Sequence, residues 1–477
     1  MIRHEGLPST TVDRRLTDRV PGLPPRHGGL GPLGQSSRDV AEAEHEASTV
    51  MSDNPVCASQ APNWPKECDT FAQLGIPDTY IEGLLFKHLL AVGSNTGRGI
   101  ARDLCVPGKP LLAMVTEMKN RQFVAYKGSA AMGDFEYVLT DAGRERAQRF
   151  LEGCSYCGAT PVPLSVYIES VHAQTIRNEH PNPEALRQAF HDLLIEPAML
   201  ERLGPAINSG QGMFLYGAPG NGKTSIAERV TSCFGTDIWI PKAIFVDGET
   251  IQFYDPQSHE AVVSDKAPAR GQEFDQRWIR IRRPTMVVGG ELTMEVLELQ
   301  YNAYTKITEP SLQLKSNCGT LVIDDFGRQR MNPIQLLNRW IVPLEKRFDY
   351  LTLHNGKKIQ VPFDQIIVFS TNLEPRELVD DAFLRRIPYK INVGDPAEAE
   401  FRELMKIMAD KLEVAYDQAA VSYVIEKHYA ATGRPFRCCH PRDLLLQIRN
   451  RSRYRGEEAR MSTEGFDAAC ANYFTLL

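Results

Sequence analysis

A glycine-rich octapeptide between an apolar run and a helical segment constrains the fold of this chain most. It reads Gly217-Ala218-Pro219-Gly220-Asn221-Gly222-Lys223-Thr224. The apolar residues 213–216 predict a strand before it, and residues 225–230 predict a helix after it. A phosphate-binding loop requires this order, because glycines let backbone N–H groups surround a polyphosphate at the positive end of a helix. The sequence therefore predicts a nucleoside triphosphate site.

Side chains at the end of the loop have predicted roles in binding ATP and Mg²⁺. Lys223 is long enough to reach the β- and γ-phosphates, and the Thr224 hydroxyl can ligate Mg²⁺. Ser225 extends the nucleotide-binding segment into the helix. The alternative is a glycine turn that only happens to precede a helix. The strand and the helix on either side of the loop argue against it.

Composition indicates a large cytoplasmic protein. The chain has 477 residues, 42% of them hydrophobic, which suggests about three domains. No apolar run reaches the ~20 residues needed to span a bilayer, so no membrane insertion is expected. The ten cysteines are scattered and indicate reduced thiols. A formal charge of −6 means that contact with nucleic acid requires a local basic patch.

The sequence divides into five predicted segments. They are a disordered tail at 1–66, a helical domain with a hairpin at 67–153, a linker at 154–180, an α/β nucleotide-binding domain at 181–395 and an α-helical lid at 396–477. The tail has Trp64 as its only aromatic residue, so it cannot bury enough apolar surface to offset its ordering entropy. Met51 is a candidate start, because nothing before it has a structural pattern.

The predicted fold class is α/β, a P-loop NTPase core with a parallel sheet. Besides residues 213–216, the predicted strands are 243–246, 320–323, 365–369 and 389–393. Their alternation with helical patterns favours helices on both faces of the sheet. Residues from about 247 to 316 exceed a minimal core and are interpreted as an insertion, with a hairpin over 245–254 and a helix from about 290. A second hairpin is predicted over 351–359.

Polar residues follow two of these strands. Asp324 and Asp325 end one strand, where Asp324 can serve the bound Mg²⁺ and Asp325 is the candidate base for the attacking water. Asn372 ends another strand and is predicted to lie beside the γ-phosphate. The alternatives are a helix cap or ion-pair role for Asp325 and a turn role for Asn372.

Together these segments resemble the AAA+ ATPase superfamily over residues 181–477. The resemblance implies a Walker A loop at 217–224, a Walker B strand at 321–325 and sensor 1 at Asn372. It also implies ATP hydrolysis within a homo-oligomeric ring. One departure is Asp325, since the family commonly has glutamate there, longer by one C–C bond of about 1.5 Å.

Two arginine positions follow from the same resemblance. Residues 380–387 are similar to the region whose arginine reaches the ATP of a neighbouring subunit. Arg386 is the favoured candidate for this arginine, and Arg385 is the second candidate. Residues 440–446 resemble sensor 2, which places Arg442 near a helix N-terminus. A cation is disfavoured there unless an anion such as phosphate offsets it. Asp443 could neutralise Arg442 instead.

The helical domain at 67–153 resembles a winged helix-turn-helix, with residues 137–143 similar to the end of its wing. Residues 68–153 hold ten Lys or Arg and ten Asp or Glu, so the module is neutral. Lys109, Lys119, Arg121 and Lys127 could form a basic face around the third helix. Contact with duplex DNA and docking of a protein partner both remain open.

Two short patterns are interpreted as structural. Cys154 and Cys157 have metal-ligand spacing but no second pair at a suitable distance, so zinc is not predicted. The basic run 278–283 is interpreted as a strand with one solvated face.

The expected function is ATP-driven remodelling of a protein or nucleic-acid target. One alternative is a transcription regulator switched by ATP, although the chain has no Gly-Ala-Phe-Thr-Gly-Ala loop. The second is a scaffold that binds nucleotide without hydrolysing it. Lys223, Asp324 and Asn372 together argue against the scaffold.

Overall fold

The structure is a computed structural model that describes residues 65–235, 237–262, 274–379 and 381–475. The predicted disordered tail therefore lies outside the described residues, except for Pro65 and Lys66. Within the described ranges no helix is long and apolar enough to cross a membrane.

Residues 66–153 form a helical unit with a small antiparallel sheet. Its elements are α1 (Phe71–Leu74), α2 (Asp78–Val92), β1 (Ser94–Thr96), α3 (Gly97–Leu104), α4 (Gly108–Asn120), β2 (Val124–Ser129), β3 (Phe135–Leu139) and α5 (Asp141–Gly153). The hydroxyls of Thr96 and Thr140 cap α3 and α5 by accepting a bond from the N–H three residues on. The predicted helices and hairpin are present, and β1 adds an unpredicted third strand beside β3.

The segment predicted as a linker, residues 154–180, is folded. It contains β4 (Val162–Pro163) and α6 (Leu164–Ala173). Tyr167 of α6 is 1% exposed, and its hydroxyl accepts a hydrogen bond from Asn317 Nδ2 at 2.9 Å. Pro163 directly precedes the helix. The segment is therefore not a plain connection, and the sequence does not show this because a proline before a helix start looks the same as a proline in a linker.

Residues 181–395 contain the α/β core. The elements are α7 (Pro183–Ala189), α8 (Pro197–Asn208), β5 (Met213–Tyr216), α9 (Lys223–Arg229), β6 (Asp237–Pro241), β7 (Ala243–Val246), β8 (Glu249–Gln252), β9 (Trp278–Arg282), β10 (Thr285–Val288), β11 (Gln300–Asn302), β12 (Ile307–Glu309), α10 (Leu312–Lys315), β13 (Thr320–Ile323), α11 (Pro333–Lys346), β14 (Phe348–Thr352), β15 (Lys358–Pro362), β16 (Ile366–Thr371), α12 (Pro375–Leu378), α13 (Asp381–Leu384) and β17 (Tyr389–Asn392).

Five parallel strands make the core sheet, in the order β10-β13-β16-β5-β17. Every residue of β13 and β16 is buried, as expected for strands covered on both faces. This sheet confirms the predicted α/β class. Since the strands are parallel, the residues that follow β5, β13, β16 and β17 lie along one edge.

One predicted strand of the core sheet belongs elsewhere. β7 lies in a second sheet of order β11-β12-β8-β7-β4, and β10 takes its place in the core. Asp247 and Gly248 have φ values of 48° and 85°, so the chain reverses in a tight turn and returns as β8. Two apolar tetrapeptides of similar composition cannot be told apart from sequence, and this turn decides which one leaves the sheet.

The interpretation of residues 247–316 as an insertion is only partly right, because this stretch contains the core strand β10. The helix predicted from about 290 is also wrong, since only a short 3₁₀ turn at Glu295–Leu297 is present. The two predicted hairpins are observed as β7–β8 and β14–β15.

The C-terminal region is helical, as predicted. It comprises α14 (Glu398–Lys411), α15 (Gln418–Val424), α16 (His440–Arg455) and α17 (Thr463–Tyr473). Its own core is formed around the fully buried Phe401, Leu444 and Phe466. No strand occurs among the described residues after β17.

Candidate nucleotide site

The glycine-rich loop connects β5 to α9, as its flanking sequence predicts. Gly217, Gly220 and Gly222 have φ values of 136°, 84° and 82°, which residues with a side chain rarely adopt. A Cβ atom at Gly217 would lie 2.4 Å from the carbonyl oxygen of Val393. At Gly220 it would lie 2.5 Å from Cys439 Sγ. Glycine is therefore required both for the conformation of the loop and for its close neighbours.

Lys223 starts α9 and is 6% exposed. Its Nζ donates to the carbonyl oxygens of Gly217 and Ala218 at 3.0 and 2.9 Å and to Asn372 Oδ1 at 2.7 Å. Burial lowers the pKa of this ammonium, and the carboxylates of Asp324 and Asp325 oppose that shift. Because its bonded partners are neutral oxygens, a phosphate inside the loop would be a stronger partner for the ammonium.

Thr224 and Asp324 meet across the sheet edge. Thr224 Oγ1 donates to Asp324 Oδ2 at 2.9 Å. Hydroxyl and carboxylate oxygens are ligands that Mg²⁺ accepts, and Mg²⁺ is commonly held by one or two carboxylates together with substrate phosphates. Within the described part of the chain no three His, Cys, Asp or Glu side chains form a metal cluster. The pair therefore fits a cation that takes its remaining ligands from nucleotide and water.

Asn372 connects the lysine to the second acid. Its Oδ1 accepts from Lys223, and its Nδ2 donates to Asp325 Oδ1 at 3.2 Å. Asp325 is exposed and has a φ of 48°, an uncommon backbone conformation for a residue with a side chain. The bond to Asn372 therefore places the Asp325 carboxylate next to the residue that accepts from Lys223.

Arg442, the arginine predicted from sensor 2, pairs with the next residue in the chain. Arg442 Nε donates to Asp443 Oδ1 at 2.9 Å, and the Arg442 side chain is 60% exposed. This is the neutralising pair that the sequence left open. The arginine whose charge acts on Lys223 is Arg437, in the loop before α16.

Arg437 belongs to a contact between the helical region and the glycine-rich loop that the sequence did not predict. Asp395 pairs with Arg437 and also accepts from Asn221 Nδ2 at 2.7 Å. The Cys439 N–H donates to the Gly220 carbonyl oxygen at 2.9 Å. The sequence signal for Arg437 is a cation a few residues before a helix start. That signal does not indicate which arginine packs on the loop.

The two arginines proposed for a neighbouring subunit differ in their surroundings. Arg386 Nε donates to Glu345 Oε1 at 2.7 Å, and the Arg386 side chain is 17% exposed. Arg385 is exposed, and among the described residues its side chain has no hydrogen bond or ion pair. Asp380, at the start of the same segment, lies outside the described residues. The geometry therefore favours Arg385 over Arg386 as the residue available to another chain.

Several of the basic residues that the sequence pattern singled out form ion pairs. Arg280, Arg282 and Arg283 form ion pairs with Asp237, Glu260 and Glu179, and Trp278–Arg282 is a strand. In the N-terminal unit, Arg121 pairs with Glu82 and Lys127 pairs with Glu136. The remaining members of the predicted basic face are Lys109, in the first turn of α4, and Lys119, whose ammonium lies 3.8 Å from the Tyr126 ring centroid.

Comparisons with known proteins give limited likenesses. A family described as "Domain of unknown function (DUF8689)" matches residues 397–472. No curated protein matches the chain in sequence. Among solved structures, NtrX from Brucella abortus is similar at 12% identity, over 60% of this chain and 58% of that chain, with a TM-score of 0.38. The RuvB Holliday junction branch migration motor of Thermotoga maritima is similar at 14% identity, over 60% of this chain and 72% of that chain, with a TM-score of 0.34. The α/β class follows from the sheet order of this chain itself.

Proposed function

We propose that this chain is an ATPase of the AAA+ type that binds ATP with Mg²⁺ and couples its hydrolysis to the remodelling of a protein or nucleic-acid target. The observation that carries the proposal is one connected set of side chains at the carboxyl edge of the parallel sheet. Lys223, Thr224, Asp324, Asp325 and Asn372 come from three different strand ends and are linked by hydrogen bonds.

Each residue of this set has a distinct role in the proposed reaction. Lys223 exchanges its carbonyl partners for the β- and γ-phosphate oxygens and stabilises the charge that develops on them. Thr224 and Asp324 hold Mg²⁺, which supplies charge neutralisation between these phosphates when bound. Asp325 accepts a proton from the attacking water, while Asn372 keeps the carboxylate and the lysine in place. Water oxygen bonds to the γ-phosphorus and the bond to the β-γ bridging oxygen breaks, giving ADP and phosphate.

Arg437 is proposed as the arginine of the helical region that contacts the nucleotide. Arg437→Ala is expected to raise the ATP concentration for half-maximal hydrolysis about tenfold, because a charge-assisted hydrogen bond to phosphate is lost. Steady-state ATPase assays measure this change. Arg442→Ala is the matched control, since the side-chain contacts of Arg442 among the described residues are with Asp443 and none is with the glycine-rich loop. If Arg442→Ala weakens ATP use and Arg437→Ala does not, Arg442 resumes the sensor 2 role.

Arg385 is proposed to reach the ATP of an adjacent subunit in a homo-oligomeric ring. Arg385→Ala is expected to lower the hydrolysis rate at least about 1,000-fold while ATP affinity is kept, because such an arginine acts on transition-state charge. Arg386→Ala is the control, as it removes the pair with Glu345 instead. Mixing Arg385→Ala with Lys223→Ala subunits tests the contribution across the interface. If neither arginine changes the rate, the proposed interface is wrong.

The decisive test of the proposal is the ATPase rate of the full-length chain, with and without duplex DNA. The full chain is needed because residues 66–153 pack on the ATPase region: Tyr80 Oη lies 2.5 Å from Thr250 Oγ1, and Arg277 donates to the Leu74 carbonyl oxygen at 3.0 Å. Magnesium-dependent hydrolysis supports the ATPase. Stimulation by DNA favours a DNA-coupled motor or regulator, and a rate indifferent to DNA favours a protein target. ATP binding without hydrolysis supports the scaffold.

A further inference from the structure

One carboxylate oxygen joins the glycine-rich loop to the arginine of the helical region. Asp395 Oδ1 accepts from Asn221 Nδ2 of the loop at 2.7 Å, and the same oxygen accepts from Arg437 Nη1. Asn221 is 4% exposed, and its Nδ2 also donates to the Gly394 carbonyl oxygen at 3.0 Å. Asn221 Oδ1 accepts from the Cys438 N–H at 3.4 Å. A single residue of the loop is therefore bonded to the chain before α14 and to the chain before α16.

The pair between Asp395 and Arg437 is weaker than their charges would allow. A carboxylate can accept two parallel bonds from a guanidinium group. Here the accepting oxygen is shared with Asn221, and among the described residues the guanidinium group bonds through Nη1 alone. The Arg437 side chain is 21% exposed and that of Asp395 is 39% exposed, so water screens the pair in part. Most N–H donors of Arg437 therefore remain available to a stronger anion.

Arg437 lies close enough to the loop for its charge to act on Lys223. Burial lowers the pKa of the Lys223 ammonium, and the Arg437 charge lowers it further. Two cations beside one phosphate-binding loop repel each other, and Asp395 offsets the charge of Arg437. A polyphosphate in the loop offers more negative charge and can accept two bonds from the same guanidinium group. Asp395 and the phosphates are therefore competitors for Arg437.

We propose that Asp395 is a positioning residue that holds Arg437 until ATP binds and then releases it. The inference rests on the proposed function, since it takes Arg437 as the arginine that contacts the nucleotide. On ATP binding, Arg437 exchanges the Asp395 oxygen for phosphate oxygens, while Asn221 keeps its bond to Asp395. Because breaking the ion pair opposes ATP binding, Asp395 lowers the ATP affinity of the site. The exchange also couples occupancy of the loop to the position of the segment before α16.

The test is the affinity of the full-length protein for a fluorescent ATP analogue, together with the hydrolysis rate at saturating ATP. Asp395→Asn is expected to tighten binding about fivefold, the upper end of what a partly exposed ion pair contributes, and to leave the saturated rate unchanged. The amide oxygen of the new side chain can still accept from Asn221, so the loop stays in place. In an Arg437→Ala background, Asp395→Asn is expected to have no effect on affinity. Asp410→Asn, at an exposed position of α14, is the matched control.

The outcomes separate this inference from the proposed function. Weaker ATP binding by Asp395→Asn would mean that Asp395 only stabilises the loop, and unchanged binding would mean that it does not restrain Arg437; either result overturns the inference. Tighter binding that persists in the Arg437→Ala background would show that the carboxylate repels ATP directly, which overturns it as well. Absence of ATP binding by the unchanged protein would overturn the proposed function and the inference with it. Circular dichroism checks the fold of each variant, and Asp395→Ser, which also removes the charge, carries the same test if Asp395→Asn does not fold.

Discussion

Lys223→Ala is expected to abolish ATP hydrolysis and to weaken ATP binding at least about 100-fold. The side chain is the only cation hydrogen-bonded inside the glycine-rich loop among the described residues, and its loss removes a charge-assisted contact to two phosphates. Affinity can be measured with a fluorescent ATP analogue, and turnover by phosphate release. Lys406→Ala, at an exposed position of α14, is the control and should behave as the unchanged protein.

The folding of Lys223→Ala must be checked as well, because Lys223 also donates hydrogen bonds to the loop carbonyls and to Asn372. Thermal unfolding by circular dichroism should stay cooperative. Retained ATP affinity in a folded Lys223→Ala protein would contradict the phosphate-binding role of the loop. Unfolding of the variant would leave the second prediction, at Asp325, to test the site.

Asp325→Asn is expected to bind ATP normally and to hydrolyse it about 1,000-fold more slowly. The amide oxygen of the new side chain can still accept the bond from Asn372 Nδ2, so the geometry is kept while the base is removed. Single-turnover hydrolysis and equilibrium binding, measured on one preparation, separate the two effects. Asp381→Asn, at an exposed position of α13, is the control.

Asp324→Asn separates the proposed role in Mg²⁺ binding from the proposed role as a base, because Asp324 bonds to Thr224 and not to Asn372. It is expected to raise the Mg²⁺ concentration needed for hydrolysis, whereas Asp325→Asn should leave that requirement unchanged. Normal turnover by Asp325→Asn would show that another group accepts the proton of the attacking water.

The side chains that the sequence places together are those whose position depends on neighbours in the chain. The loop at 217–224 carries its strand, its glycines and its lysine in one stretch, so local rules are sufficient. Asp324 and Asn372 were predicted because each ends a buried strand, and parallel strands bring their carboxyl ends to one edge. The structure joins both to the loop by hydrogen bonds.

What sequence could not predict depends on pairing between distant segments. Strand β7 and strand β10 have equal length and similar apolar content, and only the turn after β7 separates them. The sequence indicates Arg442 because its place near a helix start is visible, and it does not indicate Arg437 because the packing of residues 437–439 on the loop joins segments more than 200 residues apart. Arg386 was preferred without knowledge of Glu345, which lies on another helix.

Helix α16 would turn a small rotation near the nucleotide loop into a larger displacement at its other end. It begins one residue after Cys439, whose N–H holds Gly220, and its 16 residues extend for about 24 Å. If nucleotide in the loop turns this helix by about 10° around its first turn, the far end moves by about 4 Å, given that rise per residue. That is more than a hydrogen-bond length, so a rotation of this size at the loop would break or make contacts at the other end.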